Sequence, residues 1–125
     1  MSTKLWQPNP DQIAASNLTK FLGAIQNRWG FSCSDYSALH KWSVEELEKF
    51  WLSIWDIGGV LGDISGSTIL RDAEKMPGAT FFPNSRLNFA ENLLRQKDDN
   101  PVLIFRGETG VERILTGAEL YDLVS

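Results

Sequence analysis

The chain has 125 residues, of which 42% are hydrophobic and 22% charged, and a formal net charge of −4 at pH 7. Its length is that of one domain and suffices to bury a hydrophobic core. The acidic balance argues against a nucleic-acid partner and against binding to an anionic membrane surface. Five Trp, seven Phe and two Tyr are too many aromatic residues for a disordered chain.

The cysteine count and the N-terminal composition indicate the cellular setting. A single cysteine, Cys33, excludes an internal disulfide and favours a reducing compartment. Residues Met1–Asn9 are polar and lack the apolar stretch of a signal peptide. Apolar runs such as Val102–Phe105 are too short to cross a membrane. We therefore expect a soluble, cytoplasmic protein with no membrane partner.

The first third of the chain has helical periodicity. A short helical turn is predicted at Asp11–Ala15, directly after a proline. Apolar residues then recur at intervals of three and four, which predicts a helix at Leu18–Trp29 that Gly30 ends. A further short helix is predicted at Tyr36–Lys41, with Ser34-Asp35 as its cap.

A capping box and an aromatic stripe mark the next helix. Ser43-Val44-Glu45-Glu46 has the spacing at which a hydroxyl and a carboxylate exchange hydrogen bonds with backbone amides. It predicts a helix at Val44–Ile57, ended by Gly58-Gly59. The stripe could be a ligand platform or a partner groove, but its spacing favours a core role, with some of the aromatic surface facing another domain. Its members are Phe50, Trp51 and Trp55.

The pattern changes near residue 60. Val60–Met76 is predicted to be mostly loop with a short strand at Thr68–Leu70, and Pro77-Gly78 marks a turn. Phe81-Phe82-Pro83 is predicted to be extended, because a residue before proline avoids the helical region. Apolar residues at helical spacing then predict a helix at Arg86–Gln96.

Residues 101–125 carry the clearest β pattern. Val102–Phe105 and Val111–Leu115 flank Gly107–Gly110, which predicts a β-hairpin. Thr116–Glu119 is a second capping box, and it predicts a C-terminal helix. Since so short a helix is not stable alone, we expect the natural chain to continue beyond Ser125. The whole pattern favours an α+β fold that is mainly α-helical.

Few residues indicate chemistry by their type and spacing. Cys33 and His40 could form a nucleophile and base or two metal ligands, but with no further ligand beside them a structural role is favoured. Gly107–Gly110 leads into a strand, which favours a turn over a phosphate-binding loop. Gly58–Gly62 follows a helix and does not fit a dinucleotide fingerprint. Two carboxylate pairs, at positions 45–46 and 98–99, are expected to be solvated.

The longest recognisable pattern runs from Pro77-Gly78-Ala79-Thr80-Phe81-Phe82-Pro83 to Leu87-Asn88-Phe89-Ala90-Glu91-Asn92-Leu93-Leu94. It resembles the N-terminal region of acyl-CoA synthetases in the adenylate-forming superfamily. Its Ala-Glu-Asn-Leu-Leu ending is most similar to the acetoacetate–CoA ligases within that superfamily. The resemblance covers essentially the whole chain, and further similar segments are Leu5–Pro8, Ala15–Phe21, Tyr36–Ser43 and Leu115–Leu120.

The resemblance implies an ATP-dependent ligase. Such an enzyme converts acetoacetate and ATP to an acyl-adenylate and diphosphate, and CoA then displaces AMP, with Mg²⁺ bridging the phosphates. It also implies that the groups binding ATP, Mg²⁺ and CoA lie downstream of Ser125. No catalytic, cofactor-binding or metal-binding residue is therefore assigned in this chain, and the 125-residue fragment is expected to be inactive.

The resemblance further implies three segments. Residues 1–76 would be a helical N-terminal extension, 77–100 a linker and helix, and 101–125 the start of the large AMP-binding domain. The implied partner is the remainder of the same polypeptide, and part of the aromatic surface would face it. A hairpin without its larger sheet is only marginally stable, so residues 101–125 are expected to be less ordered than residues 10–60.

Two other functions stay open at this point. The chain could be a self-contained interaction domain that binds a partner protein through exposed Trp and Phe. It could also be a small enzyme built on Cys33 and His40, although these two residues lack any supporting motif.

Overall fold

A computed structural model describes residues 5–125 of the chain, so the first four residues of the predicted extension and of the segment Met1–Asn9 lie outside the described residues. The helices are α1 (Pro10–Ala15), α2 (Asn17–Trp29), α3 (Tyr36–Glu45), α4 (Leu47–Ile57), α5 (Phe89–Leu93) and α6 (Gly117–Val124). The strands are β1 (Gly62–Asp63), β2 (Leu70–Arg71), β3 (Thr80–Phe81), β4 (Arg86–Leu87), β5 (Pro101–Arg106) and β6 (Glu112–Thr116). The predicted α+β class is confirmed.

The chain divides into two compact units. The first holds the residues up to 60 together with 68–83, and the second holds 61–67 together with 84–125. Their limits do not coincide with residues 76 and 100, the boundaries inferred from the resemblance. Units defined by contacts need not coincide with segments implied by resemblance to a family. The three-segment division therefore stays a prediction. Within residues 5–125, no helix has both the length and the apolar character needed to cross a membrane.

Caps set the ends of the first helices largely where the sequence indicates. The Asn9 side chain accepts a hydrogen bond from the Gln12 amide at 2.8 Å and begins α1. The Asp35 carboxylate accepts one from the Ala38 amide at 2.9 Å and begins α3. Gly30 ends α2 with φ of 68°, a left-handed conformation that glycine adopts without steric cost. The predicted helix at Leu18–Trp29 is therefore confirmed.

The capping box predicted at residues 43–46 is wrong. Ser43 lies inside α3 and its Oγ donates to the His40 carbonyl at 2.8 Å. The N-cap of α4 is Glu46, which makes no side-chain capping bond and instead pairs with Lys49 at 2.9 Å. Continuing α3 to Glu45 buries Trp42 in the core. Burial of that indole outweighs a local capping signal of about 1 kcal/mol.

The core of the first unit lies between α2, α3 and α4. Its buried side chains are Phe21, Ile25, Leu39 and Trp42. Partly buried residues close around them, including Phe31, whose ring stacks on Trp42 with 5.0 Å between centroids. Helix α4 packs against both α2 and α3. At this contact the Trp29 indole N–H donates to Ser53 Oγ at 2.9 Å, and Ser53 is only 3% exposed.

The β2–β3 pair adds a second layer to this unit. Leu70 pairs with Phe81 in antiparallel register, so the strand predicted at Thr68–Leu70 begins and ends later than expected. Phe82 was predicted to be extended, and this is wrong, because its φ is 48°. It avoids the right-handed helical region, as a residue before proline should, by adopting the left-handed one. Its amide donates to the Ile69 carbonyl at 2.7 Å, and its ring lies 4.8 Å from that of Trp55.

In the second unit, the single helix predicted at Arg86–Gln96 is wrong. Arg86 and Leu87 form β4, which pairs with β1, and Asn88 begins α5 by accepting the Glu91 amide at 3.2 Å. Helix α5 ends at Leu93. Strand pairing and an asparagine cap therefore replace the first turn of the predicted helix, because asparagine side chains compete for backbone amides.

The hairpin and the last helix follow the predicted pattern. Strands β5 and β6 are antiparallel, with Leu103 opposite Leu115 and Ile104 opposite Ile114. Thr116 and Glu119 form the expected reciprocal capping box, with bonds of 3.2 and 2.9 Å. The carbonyls of Asn100 and Asp98 accept the first amides of α6, those of residues 117 and 118, at 3.1 and 2.9 Å. The chain before β5 thus fixes the start of α6.

Replacing Ser53 should destabilise the first unit. Ser53→Ala leaves the Trp29 indole N–H without its acceptor, so we expect the free energy of unfolding in urea to fall by about 1–3 kcal/mol. Ser43→Ala is the matched control, because its hydroxyl bonds only within its own helix and should change stability by less than about 0.5 kcal/mol. Equal losses for the two variants would contradict this role of the indole bond.

Two glycine-to-alanine substitutions should have opposite effects. A Cβ at Gly117 would collide with the Gln96 carbonyl oxygen and lie 3.0 Å from its carbonyl carbon, so Gly117→Ala should cost about 1–3 kcal/mol. Gly23 lies within α2 with open space around it, so Gly23→Ala should stabilise by about 0.5–1 kcal/mol. Urea unfolding of both variants tests the pair, and a neutral Gly117→Ala would contradict the close approach.

Candidate functional site

Cys33 and His40 have different surroundings in the structure. The Cys33 thiol is half-buried against the core of the first unit and donates to the Asp35 carbonyl, with 2.9 Å between sulfur and oxygen. His40 is exposed on α3. Among residues 5–125, no group of three or more His, Cys, Asp or Glu side chains could hold a metal ion. These contacts favour the structural role for Cys33.

The glycine-rich and acidic segments have structural surroundings. Gly107–Gly110 forms the hairpin turn, in which the Gly107 amide donates to the Val111 carbonyl at 2.8 Å. Gly58–Gly62 begins at the end of α4 and leads to β1. The carboxylate of Glu45 lies 3.8 Å from Lys41, and that of Asp98 accepts the Asn100 amide at 3.1 Å. None of these arrangements presents converging groups to a phosphate or a substrate.

A polar cavity of about 300 Å³ lies in the second unit. Lys97 and Tyr121 line it, and the Lys97 ammonium sits 3.8 Å above the Tyr121 ring centroid. A hydrogen bond from Ser125, and then the nearby Lys97, lower the pKa of Tyr121 below its usual value of 10.0. Glu91 lines the same cavity, so charges of both signs face it. The lining therefore selects neither an anion nor a cation.

The aromatic stripe connects the two layers of the first unit. Phe50 turns inward, with its ring centroid 5.9 Å from that of Phe21. Trp51 contacts Phe81 of β3 at 5.3 Å, and the Trp55 ring covers Phe82. The stripe is thus mainly a packing surface between α4 and the β2–β3 segment, with Trp51 still 37% exposed.

An open apolar groove with a volume of about 390 Å³ is lined by residues of α2, α3 and α4. We call it the helical groove. Its floor is buried, but Leu18, Ile54 and Ile57 at its rim are 47%, 38% and 44% exposed. An adjoining cavity of about 420 Å³ extends it toward Lys20. The residues lining the helical groove are Asn17, Leu18, Phe21, Tyr36, Leu39, His40, Ser43, Phe50, Ile54 and Ile57.

The β5–β6 hairpin exposes apolar side chains in the second unit. Cross-strand partners share a face, so Leu103 and Phe105 lie on one face and Ile104 and Ile114 on the other. All four are exposed, with Ile104 at 61% and Phe105 at 52%. A strand that is apolar on both faces is typical of the interior of a layered sheet.

Asn92 has a structural role that the sequence reasoning missed. Its Oδ1 accepts the Leu61 amide at 2.8 Å, and its Nδ2 donates to the Leu61 carbonyl at 2.7 Å. The side-chain amide therefore pairs with a backbone segment as a strand neighbour would. The available signal was the presence of an asparagine, a residue that favours backbone hydrogen bonding, within a predicted helix.

Comparison with known proteins gives one consistent result. The family model for the acetyl-coenzyme A synthetase N-terminus matches residues 36–93. An acetoacetyl-coenzyme A synthetase from Rhizobium meliloti (strain 1021) is 45% identical over 97% of this chain, which spans 18% of that protein. A malonamoyl-CoA synthetase from Penicillium aethiopicum is 29% identical over 96% of the chain and 17% of its own length.

A solved structure has the same fold. The acetoacetyl-CoA synthetase from Streptomyces lividans superposes with a TM-score of 0.80 at 35% sequence identity. The match covers 95% of this chain and 19% of that protein. The chain thus spans less than a fifth of the length of the relatives it matches.

The exposed hairpin should exchange its amide hydrogens faster than the helical core. Both faces of β5–β6 are solvated, so local opening exposes little additional apolar surface and costs less free energy. We expect residues 101–125 to exchange faster than the backbone of α2, as measured by hydrogen exchange with mass spectrometry. Strong protection throughout Val111–Val124 would contradict this prediction.

Proposed function

We propose that this chain, which matches the N-terminal region of acetoacetyl-CoA synthetases in sequence and fold, is the non-catalytic N-terminal part of an ATP-dependent acetoacetate–CoA ligase. The carrying observation is the 45% identity over 97% of the chain. The superposition on the Streptomyces lividans enzyme supports the same assignment.

The proposed ligase joins acetoacetate to CoA with cleavage of ATP. The carboxylate attacks the α-phosphorus of ATP and releases diphosphate, and the CoA thiol then attacks the acyl carbon and releases AMP. Two observations on residues 5–125 support placing the groups that bind these reactants elsewhere. Their candidate metal ligands do not cluster, and the glycine-rich turn belongs to a hairpin. We therefore place the ATP, Mg²⁺ and CoA groups in the part of the ligase outside this chain.

The exposed apolar side chains support a larger parent protein. In the hairpin Ile104 is 61% and Phe105 52% exposed, and at the groove rim Leu18 is 47% exposed. Exposed apolar patches commonly mark surfaces that pack against another part of a protein.

In the proposed ligase the three segments keep the roles that the resemblance implies. Residues 1–76 form the helical extension, 77–100 the linker, and 101–125 the first elements of the AMP-binding domain. Strands β5 and β6 would become part of a larger sheet, which would cover Ile104 and Phe105. The partner of this chain is then the remainder of its own polypeptide. A cytoplasmic location stays a prediction from the single cysteine.

The acyl substrate is the part of the proposal that these residues constrain least. The Penicillium aethiopicum relative is named for malonamoyl-CoA, yet it matches nearly the whole chain. These relatives share this region but are named for different acyl products. We therefore infer that residues outside this region select the acyl group. Acetoacetate is proposed because the Rhizobium meliloti relative, at 45% identity, and the Streptomyces lividans enzyme, at 35% identity, are both named for acetoacetyl-CoA.

The test uses the open reading frame that encodes this chain. We expect the frame to continue past Ser125 and its purified product to catalyse diphosphate–ATP exchange that depends on acetoacetate. Acetate and malonamate are the comparison acids, and both should support at least about tenfold less exchange. The 125-residue chain alone should be inactive with every acid.

Three outcomes would contradict the proposal. A reading frame that stops at Ser125 would favour the self-contained interaction domain. A preference for acetate or malonamate would overturn the acetoacetate assignment but leave the ligase assignment in place. Turnover by the 125-residue chain itself would show that it is catalytic.

A further inference from the structure

The helical groove is a gap beside three helices. Its walls come from the first turns of α2, the length of α3 and the C-terminal half of α4. Its floor is core, including Phe21 and Leu39, both 7% exposed. Its rim is apolar and solvated, unlike the outer face of an ordinary amphipathic helix, where charged residues predominate. An apolar groove lined by three helices is the kind of surface that a further helix covers in a helical bundle.

The groove differs in charge from the chain as a whole. The chain carries a net charge of −4, but none of the residues lining the groove or its extension is acidic. The lining includes Lys20 and the titratable His40. Lys20 belongs to none of the ion pairs found among residues 5–125. An occupant with carboxylates beside an apolar surface would complement this lining.

We propose that an amphipathic helix with acidic residues flanking its apolar stripe docks in the helical groove, and that the remainder of the same polypeptide supplies this helix. The inference rests on the proposed function, because it needs the longer protein. Docking would bury the rim of Leu18, Ile54 and Ile57 and place a carboxylate opposite Lys20. The arrangement is the helix-in-groove mode, read by apolar anchors at helical spacing.

The polypeptide itself is favoured over a second copy as the source of the helix. In a symmetric dimer the same patch lies on both sides of the interface, and two concave grooves do not fill one another. Lys20 would also find no carboxylate in the partner's groove lining. By contrast, more than four-fifths of the length of the relatives lies outside the region that this chain matches.

The test measures binding of a synthetic helix to the 125-residue chain by fluorescence anisotropy. The labelled probe has about 18 residues, with leucines at helical spacing on one face and glutamates beside them. Its comparison peptides have lysines in place of glutamates, or the same composition in scrambled order. We expect the glutamate helix to bind more tightly than both comparison peptides, and its affinity to fall with added salt.

Substitutions in the groove should distinguish specific docking from non-specific hydrophobic binding. Leu18→Glu and Ile54→Glu should each weaken binding at least about tenfold, and Lys20→Ala about twofold to fivefold. Ile13→Glu is the matched control, because Ile13 is as exposed as Leu18 but lies on α1 outside the groove. It should leave the affinity unchanged. Circular dichroism must show the same helical content in all variants, which is expected because the replaced side chains are exposed.

The longer protein provides the decisive comparison. Its groove should already be filled, so it should not bind the glutamate helix. Binding as tight as that of the 125-residue chain would overturn the polypeptide as the source. Equal binding of the scrambled peptide, equal loss in Ile13→Glu, or a dimer in sedimentation that Ile54→Glu dissociates would overturn the docking proposal. Saturable binding of the fatty acid decanoate, without binding of the helix, would also overturn the docking proposal.

These outcomes are distinguishable from failure of the proposed function. An active ligase that still binds the glutamate helix contradicts only the docking inference. A longer protein that excludes the helix but does not activate acetoacetate contradicts only the ligase assignment.

Discussion

The ring of Phe50 is the contact on which the first unit depends. Its centroid lies 5.9 Å from that of Phe21 on α2, 6.2 Å from that of Trp42 on α3, and 5.4 Å from that of Trp51 on its own helix, all edge to face. Pairs of this geometry contribute about 0.5–1.5 kcal/mol beyond the burial of their area. Trp51 continues the series to Phe81, so the same set of rings also holds the β2–β3 segment. Phe50 also lines the helical groove, together with residues of α2 and α3.

The sequence predicts elements well where the local signal and the tertiary environment agree. Helix α2 has an apolar face, a serine cap and a terminal glycine, and the β5–β6 hairpin has two largely apolar strands around a glycine turn, so both form as expected. Prediction fails where the local sequence signal and the tertiary environment favour different structures. The capping signal at Ser43 is weaker than the burial of Trp42 two turns into α3, so the helix runs through it. At Arg86 the helical spacing yields to pairing with β1, which no pattern around that residue announces.

Function-related surfaces were harder to predict than secondary structure. For Cys33 and His40 the sequence favoured a structural role because no supporting ligand lies nearby in the sequence. The hydrogen bond from the Cys33 thiol to the Asp35 carbonyl agrees with that role for Cys33. The helical groove could not be found this way, because Leu18, Tyr36 and Ile54 come from three separate helices and each has an ordinary apolar role in its own helix. Similarly, the pairing of Asn92 with Leu61 joins residues 31 positions apart. The resemblance of whole segments pointed to similar proteins, whereas the spacing of single residues pointed to no functional site.

Both units leave apolar surface uncovered. This favours packing against a larger polypeptide over binding of a single small partner. An interaction domain for a single small partner would account for one patch. Here the first unit has the groove rim around Ile54, and the second has a hairpin with apolar residues such as Ile104 and Phe105 exposed on both faces. The two need different neighbours, a helix for the groove and further strands and layers for the hairpin. A large polypeptide that continues from this region can supply both kinds of neighbour. In the proposed ligase, such packing would give this chain a structural role, as a folded surface on which other elements assemble.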